Sequence, residues 1–299
     1  MFGIININKP KGKTSHDIVS FIRRTLQERR VGHTGTLDPD AEGVLPILVG
    51  KATKLSDWIM SDEKTYVALV QLGVVTDTYD ASGTVVREDS VSVTFEEIQQ
   101  AADGFIGEIE QVPPMYSAIK IDGQKLYALA RKGIEVERPA RRVSVASIRC
   151  FDYDSRAHTF RMEVHCSKGT YIRSLCYDIG EKLGCGAHMA GLVRTRTGSF
   201  TIENAHTPDE IETAVRNNTI SKYMLSIDEL LQDIPRIDIS DTTALKIKNG
   251  IRLRPEQLGL KTYALGTTYR IYEDGHILCL STVIFDGETT VFKMEKSFY

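Results

Sequence analysis

The chain has 299 residues, of which 41% are hydrophobic and 26% charged, and its formal net charge is -3. This length suits one large domain, or a large and a small one, and the composition is typical of a soluble globular protein. No apolar run approaches the roughly 18 residues of a membrane helix, and residues 1–8 alternate like a strand, unlike the apolar centre of a signal peptide.

The 5 cysteines and 7 histidines are scattered along the chain. No Cys-x-x-Cys pair occurs, which predicts free thiols in a reducing cytoplasm. Cys185-x-x-His188 comes nearest to a metal site, but a second pair of ligands at zinc-finger spacing is missing. We therefore predict no bound metal and a cytoplasmic location.

Charge is unevenly distributed along the chain. Residues 1–55 hold 9 Lys/Arg against 5 Asp/Glu, residues 120–150 hold 8 against 3, and residues 76–110 hold 1 against 9. Such segregation can give a mildly acidic protein a basic face for phosphate, although charged blocks are commonly solvated surface. On its own, the pattern does not decide between these two interpretations.

The first third of the chain predicts a mixture of helices and strands. Residues 15–28 predict an amphipathic helix, with Ser15 as its N-cap and arginines at its end. After a glycine-rich loop, the patterns indicate a short apolar run over 44–49, a helix over 52–60, a strand over 64–72 and a polar loop over 76–83.

The middle of the chain continues this mixture. Thr94 and Glu97 have the spacing of a capping box, which predicts a helix over 94–104 that stops at Gly104. The remaining patterns predict a short basic helix within 123–133, strands over 141–152 and 158–167, a helix over 171–183, an alternating segment over 193–202 and a helix that starts at 207–210.

The composition changes near residue 233. Beyond it, the sequence predicts a helix over 242–248 and several brief strands, with hairpin turns at Asp274-Gly275 and Asp286-Gly287. Many strands with shorter helices in irregular order favour an α+β fold with a mixed, mainly antiparallel sheet over a doubly wound fold. We predict two domains, a large one over 1–233 and a small β-rich one over 234–299.

The loop after the first helix carries a carboxylate, that of Asp38. Glycines at 32, 35 and 43 surround it and let the backbone turn sharply or approach a partner closely. Pro39 pushes Asp38 out of the helical region, so we expect the carboxylate to stand on a loop. Taken alone, these residues are also those of an ordinary surface turn.

Four stretches combine unusual glycine and polar content with flanking apolar segments. They are Lys9-Pro10-x-Gly12-x-Thr14-Ser15, Gly32-His33-Thr34-Gly35-x-Leu37-Asp38-Pro39, Met115-Tyr116-Ser117-Ala118-x-Lys120 and Cys166-Ser167-Lys168-Gly169-Thr170-Tyr171-Ile172-Arg173-Ser174-Leu175. In this order they resemble the bacterial tRNA pseudouridine-55 synthase (TruB) family, which isomerises one uridine in the TΨC arm. The resemblance covers about residues 3 to 200, and the tail loosely resembles a small PUA-like RNA-binding domain.

The resemblance implies three catalytic residues. Asp38 matches the catalytic aspartate, Tyr66 the tyrosine that packs on the target base and can assist proton removal, and Arg173 the basic residue that pairs with the aspartate. It implies substrate-binding roles for His33, Lys9, Tyr171, Asp80 and Leu192. Within this group, His33 matches the histidine that fills the space of the extruded uridine. Residues 120–150 match a mobile insertion that folds over the RNA arm.

The implied function is isomerisation of uridine-55 to pseudouridine in the TΨC loop of tRNA. The enzyme flips the base out of the arm, cleaves the N1–C1′ bond and rejoins the uracil through C5, with the aspartate essential. The resemblance implies no cofactor and no metal. It implies that the enzyme binds the T arm of tRNA as a monomer. It implies no guide RNA, no obligate protein partner and no membrane.

The chemistry also asks for such residues independently of the resemblance. A carboxylate can attack C1′, attack C6 or remove a sugar proton, and the sequence does not choose among these steps. In each case Asp38 must be ionised in a site dry enough for uracil. Burial would raise its pKa, and the Arg173 guanidinium would oppose that rise.

Three alternatives stay open. One is a relative that depends on a guide RNA and partner proteins. Another is an RNA-binding protein or chaperone that keeps the fold without the reaction. The third is a glycoside hydrolase, which needs a second carboxylate as general acid. No acid near Asp38 in the sequence has a comparable setting.

Overall fold

The structure is a computed structural model that describes residues 2–59, 63–117, 119–121, 123–130, 132–134 and 136–299. Its strands are β1 (Gly3–Lys9), β2 (Val31–His33), β3 (Glu42–Val49), β4 (Glu63–Leu72), β5 (Val74–Thr76), β6 (Val85–Glu88), β7 (Gly107–Gln111), β8 (Lys120–Ile121), β9 (Gln124–Lys125), β10 (Arg141–Asp154), β11 (Thr159–Ser167), β12 (Ala187–Thr197), β13 (Phe200–Thr201), β14 (Arg236–Ile239), β15 (Thr268–Glu273), β16 (His276–Phe285) and β17 (Thr290–Ser297).

The α-helices of the described residues are short, and none is longer than 12 residues. They are α1 (Ser15–Leu26), α2 (Ser56–Ile59), α3 (Phe95–Asp103), α4 (Leu126–Ala130), α5 (Ile172–Leu183), α6 (Pro208–Arg216), α7 (Ile227–Leu230) and α8 (Asp241–Lys248). Short 3-10 turns occur at Gly50–Leu55, Ile202–Asn204, Ile220–Tyr223 and Pro255–Leu258.

One large sheet organises the part of the chain that precedes β14. Its strands follow the order β1-β3-β12-β4-β11-β10-β7, with β2 also paired to β3 and β13 to β12. Strands β3 and β12 run parallel to each other, and the other neighbours are antiparallel. The predicted α+β fold with a mixed, mainly antiparallel sheet is therefore confirmed.

Strand β4 illustrates how the sequence pattern builds this sheet. Every second residue from Lys64 to Leu72 is buried, and the apolar ones join the core that α5 covers with Leu175 and Ile179. Burying each aliphatic side chain of this kind contributes about 2 kcal/mol. At Gly180, a Cβ would overlap the backbone of β12, so glycine lets α5 lie directly on the sheet. This packing sets the position of the first turn of α5.

A second sheet, in the order β14-β15-β16-β17, forms a β-rich unit together with α8. Ile237, Ile271 and Val283 belong to its own core, whereas Tyr272 and Leu280 share a core with apolar residues of β1 and β3. A β-rich C-terminal unit is thus confirmed. Its boundary at residue 234 stays a prediction.

Several predicted elements differ from the structure. The N-cap of α1 is Thr14, not Ser15, because Thr14 and Asp17 form a reciprocal capping box. Residues 50–59 form a 3-10 turn followed by the single turn α2 rather than one helix, and Met60 lies outside the described residues. Strand β12 starts at Ala187, before the predicted alternation, because its first residues are buried on both faces and do not alternate.

The predicted basic helix within 123–133 is reduced to α4, which follows the short hairpin of β8 and β9. Arg131, one of its basic residues, lies outside the described part of the chain. All 5 cysteines are free, as predicted, and all of them are buried. Within the described ranges, no helix is long and apolar enough to cross a membrane.

Candidate active site

Asp38 lies on the loop between β2 and β3, and polar side chains hold the backbone on both sides of it. Lys9 Nζ donates a hydrogen bond to the Pro39 carbonyl at 3.0 Å. Ser15 Oγ accepts from the Leu37 N–H at 2.9 Å and donates to the Leu37 carbonyl at 3.1 Å. Side chains from β1 and the start of α1 therefore fix the backbone that presents the carboxylate.

Arg194 of β12 holds the same loop from the sheet side. It is 1% exposed, and its guanidinium donates to the carbonyls of Val44 at 2.7 Å, Gly35 at 3.1 Å and Thr36 at 3.5 Å. Sequence reasoning missed this residue. A usable signal existed, because Arg194 shares the inward position of Leu192 in an alternating strand, and a buried charge is costly without partners.

Arg173, in the first turn of α5, contacts Asp38 directly. Its Nε lies 3.0 Å from Oδ2 of Asp38, and its Nη1 lies 3.4 Å from Oδ2 of Asp80. Nη1 and Nη2 also donate to the carbonyls of Thr78 at 3.4 Å and Tyr116 at 2.9 Å. Only 6% of the Arg173 side chain is exposed, so the protein itself fixes the cation beside the carboxylate.

The position of Arg173 at a helix start is itself unusual. The N-terminal end of a helix carries a partial positive charge that disfavours cations. Tyr171 is the N-cap, and the Gln111 side chain holds its backbone by accepting from its N–H at 2.7 Å and donating to its carbonyl at 3.0 Å. The carboxylates of Asp38 and Asp80 compensate for placing a guanidinium there.

The surroundings of Asp38 act on its ionisation in opposite directions. Burial raises the pKa of Asp38 and Asp80 raises it further, while Arg173 and Lys9 lower it, and the net pKa lies above the usual value. The opposition between burial and Arg173 was expected from the sequence. The Asp38 side chain remains 42% exposed, so its carboxylate is accessible beside a fixed cation.

Asp80 is a second carboxylate at the same guanidinium, and it comes from a distant part of the sequence. Its Oδ1 accepts from the Thr78 hydroxyl at 2.8 Å and from the N–H and hydroxyl of Ser82 at 3.0 and 2.5 Å. The structure therefore brings to the site a second acid that is distant from Asp38 in the sequence. With donors on both oxygens, Asp80 is held as an acceptor, which does not suit the general acid of a glycoside hydrolase.

Tyr66 of β4 is paired with Arg194 of the neighbouring strand β12. It is 8% exposed, and its hydroxyl shares a hydrogen bond with the Arg194 side chain. Burial raises the pKa of Tyr66, although Arg194 opposes the rise, and burial lowers the pKa of Arg194. Tyr66 is therefore a neutral phenol near neutral pH, which suits a packing surface better than a phenolate base.

His33 ends β2 and begins the loop that carries Asp38. The Gly35 N–H donates to its Nδ1 at 3.3 Å, which leaves the ring proton on Nε2. Burial lowers the pKa of His33, and the charge of Arg194 acts in the same direction. A neutral, half-buried imidazole can fill the place of a base without the cost of burying a charge.

Lys9 is fully buried and acts on the backbone of the site. Its ammonium donates to three carbonyls, those of Pro10, Lys13 and Pro39. Burial lowers the pKa of Lys9 to about 8, although three nearby carboxylates oppose the shift. Because an ammonium has three donors, this arrangement makes Lys9 an anchor of the loop.

The other predicted site residues lie on neighbouring elements. Leu192 is 9% exposed on β12 and belongs to the same core as Tyr66, and Tyr171 is half-buried at the start of α5. In the motif over 115–120, the Tyr116 carbonyl reaches Arg173, whereas Ala118 lies outside the described residues. In the predicted insertion over 120–150, residues 122, 131 and 135 also lie outside them.

The arrangement defines what the site can do chemically. Across the described residues, no group of three or more His, Cys, Asp or Glu side chains is arranged as metal ligands. The site does offer an accessible carboxylate beside a fixed guanidinium, with a neutral phenol and a neutral imidazole nearby. A carboxylate in this setting can act as a nucleophile or as a base.

Two family models match the chain. The first, described as TruB family pseudouridylate synthase (N terminal domain), matches residues 23–172. The second, described as tRNA pseudouridylate synthase B C-terminal domain, matches residues 173–234. Together they include the Asp38 loop, Arg173 and Arg194.

Individual proteins are also similar to the chain. The tRNA pseudouridine synthase B of Clostridium perfringens (strain 13 / Type A) is 44% identical over 278 residues, 93% of each chain. That of a Bacillus cereus strain is 47% identical over 262 residues, which cover 86% of this chain and 85% of the relative. A chain in the crystal structure of a Cbf5-Nop10-Gar1 complex matches with a TM-score of 0.70 at 27% identity, covering 100% of this chain and 85% of that one.

Proposed function

Since this chain belongs to the TruB family of pseudouridylate synthases, we propose that it isomerises uridine-55 to pseudouridine in the TΨC loop of tRNA. The observation that carries the proposal is the accessible carboxylate of Asp38 at 3.0 Å from the buried guanidinium of Arg173. Relatives that are 44% and 47% identical bear the name tRNA pseudouridine synthase B, which supports tRNA as the substrate.

The target uridine lies inside a folded arm, so the base has to leave its stack before the reaction. His33, a neutral ring at the entrance of the loop, occupies the space that the base vacates. Tyr66 packs on the extruded uracil, while Tyr171 and Leu192 line the pocket. Asp80 contributes through the Arg173 guanidinium, which it holds at 3.4 Å.

Asp38 then acts on the nucleoside. The N1–C1′ bond breaks, the uracil turns, and its C5 forms a bond to C1′. C5 then loses its proton and N1 carries one in the product, so substrate and product have the same atoms. Attack at C1′, attack at C6 and removal of a sugar proton each require an ionised carboxylate, which Arg173 stabilises. The net reaction is an isomerisation without oxidation or group transfer, and in this proposal it uses no cofactor.

We also propose that a monomer acts on the T arm without a guide RNA or an obligate protein partner. The catalytic domain is residues 1–233, residues 120–150 clasp the RNA, and residues 234–299 form a PUA-like RNA-binding domain. Support comes from sequence identity, which is 44–47% to the relatives named tRNA pseudouridine synthase B. Sequence identity is lower, at 27%, to the chain from the Cbf5-Nop10-Gar1 complex.

The test is to incubate purified protein with unmodified tRNA transcript and to map pseudouridine at single-nucleotide resolution. We expect a signal at position 55 alone, without added RNA or protein. A transcript with cytidine at this position is the matched control and should stay unmodified. No signal, or one spread over many uridines, would overturn the proposal.

A further inference from the structure

The loop that carries Asp80 contains a strained residue. Tyr79 has φ +61°, in the left-handed region that residues other than glycine and asparagine rarely adopt. Asp80, directly after it, contacts the Arg173 guanidinium. Strained backbone beside a functional group persists only when surrounding contacts hold it in place.

The left-handed turn at Tyr79 sets the direction of the peptides on both sides of it. The Thr78 carbonyl before it accepts from Arg173 Nη1 at 3.4 Å. The Tyr79 carbonyl itself accepts from the Met189 N–H of β12 at 3.0 Å, and the Ala81 N–H donates to the Met189 carbonyl at 3.0 Å. The loop can therefore dock on the sheet and face Arg173 at the same time.

An aromatic contact ties this residue to the helix of Arg173. The ring of Tyr79 stacks on that of Tyr177, with centroids 4.1 Å apart and an interplanar angle of 19°. Tyr177 lies on α5, about one helical turn beyond Arg173. Both tyrosines are half-buried, so the stack lies at the surface next to the site.

We propose that Tyr177 is a positioning residue, whose stack on Tyr79 holds the strained loop so that Asp80 and the Thr78 carbonyl fix Arg173 beside Asp38. The proposal rests on the proposed function, because its effect is on the turnover of that reaction. Nothing in it requires Tyr177 to touch the RNA.

The alternative is that the stack merely covers apolar surface. Tyr177→Ala and Tyr177→Phe separate the two roles, because phenylalanine keeps the stacked ring and alanine removes it. A second substitution, Tyr79→Asn, replaces the strained tyrosine by a residue that tolerates the left-handed region. If the stack serves to hold that conformation, Tyr79→Asn should compensate for Tyr177→Ala.

The experiment measures kcat and KM on tRNA, together with the melting temperature and the hydrogen exchange of residues 76–83. We expect Tyr177→Ala to lower kcat about tenfold through misplaced groups, with KM nearly unchanged. The kcat of Tyr177→Phe should stay near the wild-type value. Adding Tyr79→Asn to Tyr177→Ala should restore most of the lost kcat. If Tyr177→Ala folds poorly, Tyr177→Leu repeats the test, because leucine still covers the apolar surface but removes the stacked ring.

Tyr223→Ala is the matched control, because Tyr223 is a half-buried tyrosine whose ring contacts His206 at 4.7 Å instead of the Asp80 loop. It should lower the melting temperature without lowering kcat. Unchanged kcat in Tyr177→Ala, or no rescue by Tyr79→Asn, overturns the inference. An inactive wild-type protein would instead count against the proposed function. Hydrogen exchange of residues 76–83 would still test the inference. Exchange that is faster in Tyr177→Ala and returns to the wild-type rate on addition of Tyr79→Asn would support it, and unchanged exchange would overturn it.

Discussion

Oδ2 of Asp38 lies 3.0 Å from Nε of Arg173, and the two side chains differ sharply in exposure, 42% against 6%. The arginine is enclosed by protein acceptors, whereas the Asp38 side chain is partly exposed. Arg173 is therefore placed to govern the charge of Asp38 rather than to contact the phosphates of an RNA.

Replacing Arg173 tests this division of roles. Arg173→Ala should lower kcat at least about a hundredfold, because Asp38 loses its paired charge in a partly buried site. The Kd for tRNA should change little, since the guanidinium is enclosed. Single-turnover kinetics and filter binding measure the two quantities. A loss confined to affinity would mean that Arg173 binds phosphate instead.

The pH dependence of kcat tests the electrostatics of Asp38. Asp80 raises the pKa of Asp38, so Asp80→Asn should lower it and move the acidic limb of the profile to lower pH. Arg173 lowers the same pKa, so Arg173→Ala should move the limb to higher pH. The two variants are matched controls for each other. Shifts in the same direction would contradict this account.

Arg194 is expected to hold the catalytic loop and Tyr66 together. Arg194→Met leaves the buried carbonyl of Val44 and the half-buried carbonyl of Gly35 without this donor, which should cost about 2 kcal/mol or more in the free energy of unfolding. Arg194→Lys keeps the charge but cannot span both carbonyls and Tyr66, so it should retain more stability and still lose turnover. Urea unfolding and kcat measure these effects. Wild-type turnover in Arg194→Lys would argue against a positioning role.

His33 should matter for base extrusion and not for the chemistry at Asp38. His33→Ala removes the ring that, in the proposed function, occupies the vacated space, so turnover on folded tRNA should fall more than on a short, flexible stem-loop. The comparison needs kcat on both RNAs for wild type and variant. Equal losses on the two substrates would refute the division of the loop into an extruding part and a catalytic part.

Local patterns in the sequence predict much of the fold. The alternation of β4, the capping box at Thr94 and the helix start at Thr207 all appear in the structure. These signals depend on a few neighbouring residues, so they can be recognised without knowledge of the tertiary fold. Ser15 and Thr14 are both good caps by residue type, but Thr14 forms the capping box with Asp17, while the Ser15 hydroxyl bonds to the Leu37 backbone.

The contacts that hold the site could not be read from the sequence. Arg194 and Asp80 reach the Asp38 loop and Arg173 only after β12, β4 and α5 have packed. Backbone carbonyls supply many of the partners, and they carry no signature in the residue types. The left-handed conformation of Tyr79 is similarly a product of packing, since nothing in its side chain predicts it.

The most direct test of the central claim is the turnover of Asp38→Asn. This variant keeps the size of the side chain and a hydrogen-bond acceptor for Arg173, so folding and tRNA binding should stay close to wild type. We expect the pseudouridine signal at position 55 to disappear even in single-turnover reactions with excess enzyme. Activity at even a few per cent of wild type, in a preparation free of wild-type protein, would contradict the assignment of Asp38 as the catalytic carboxylate.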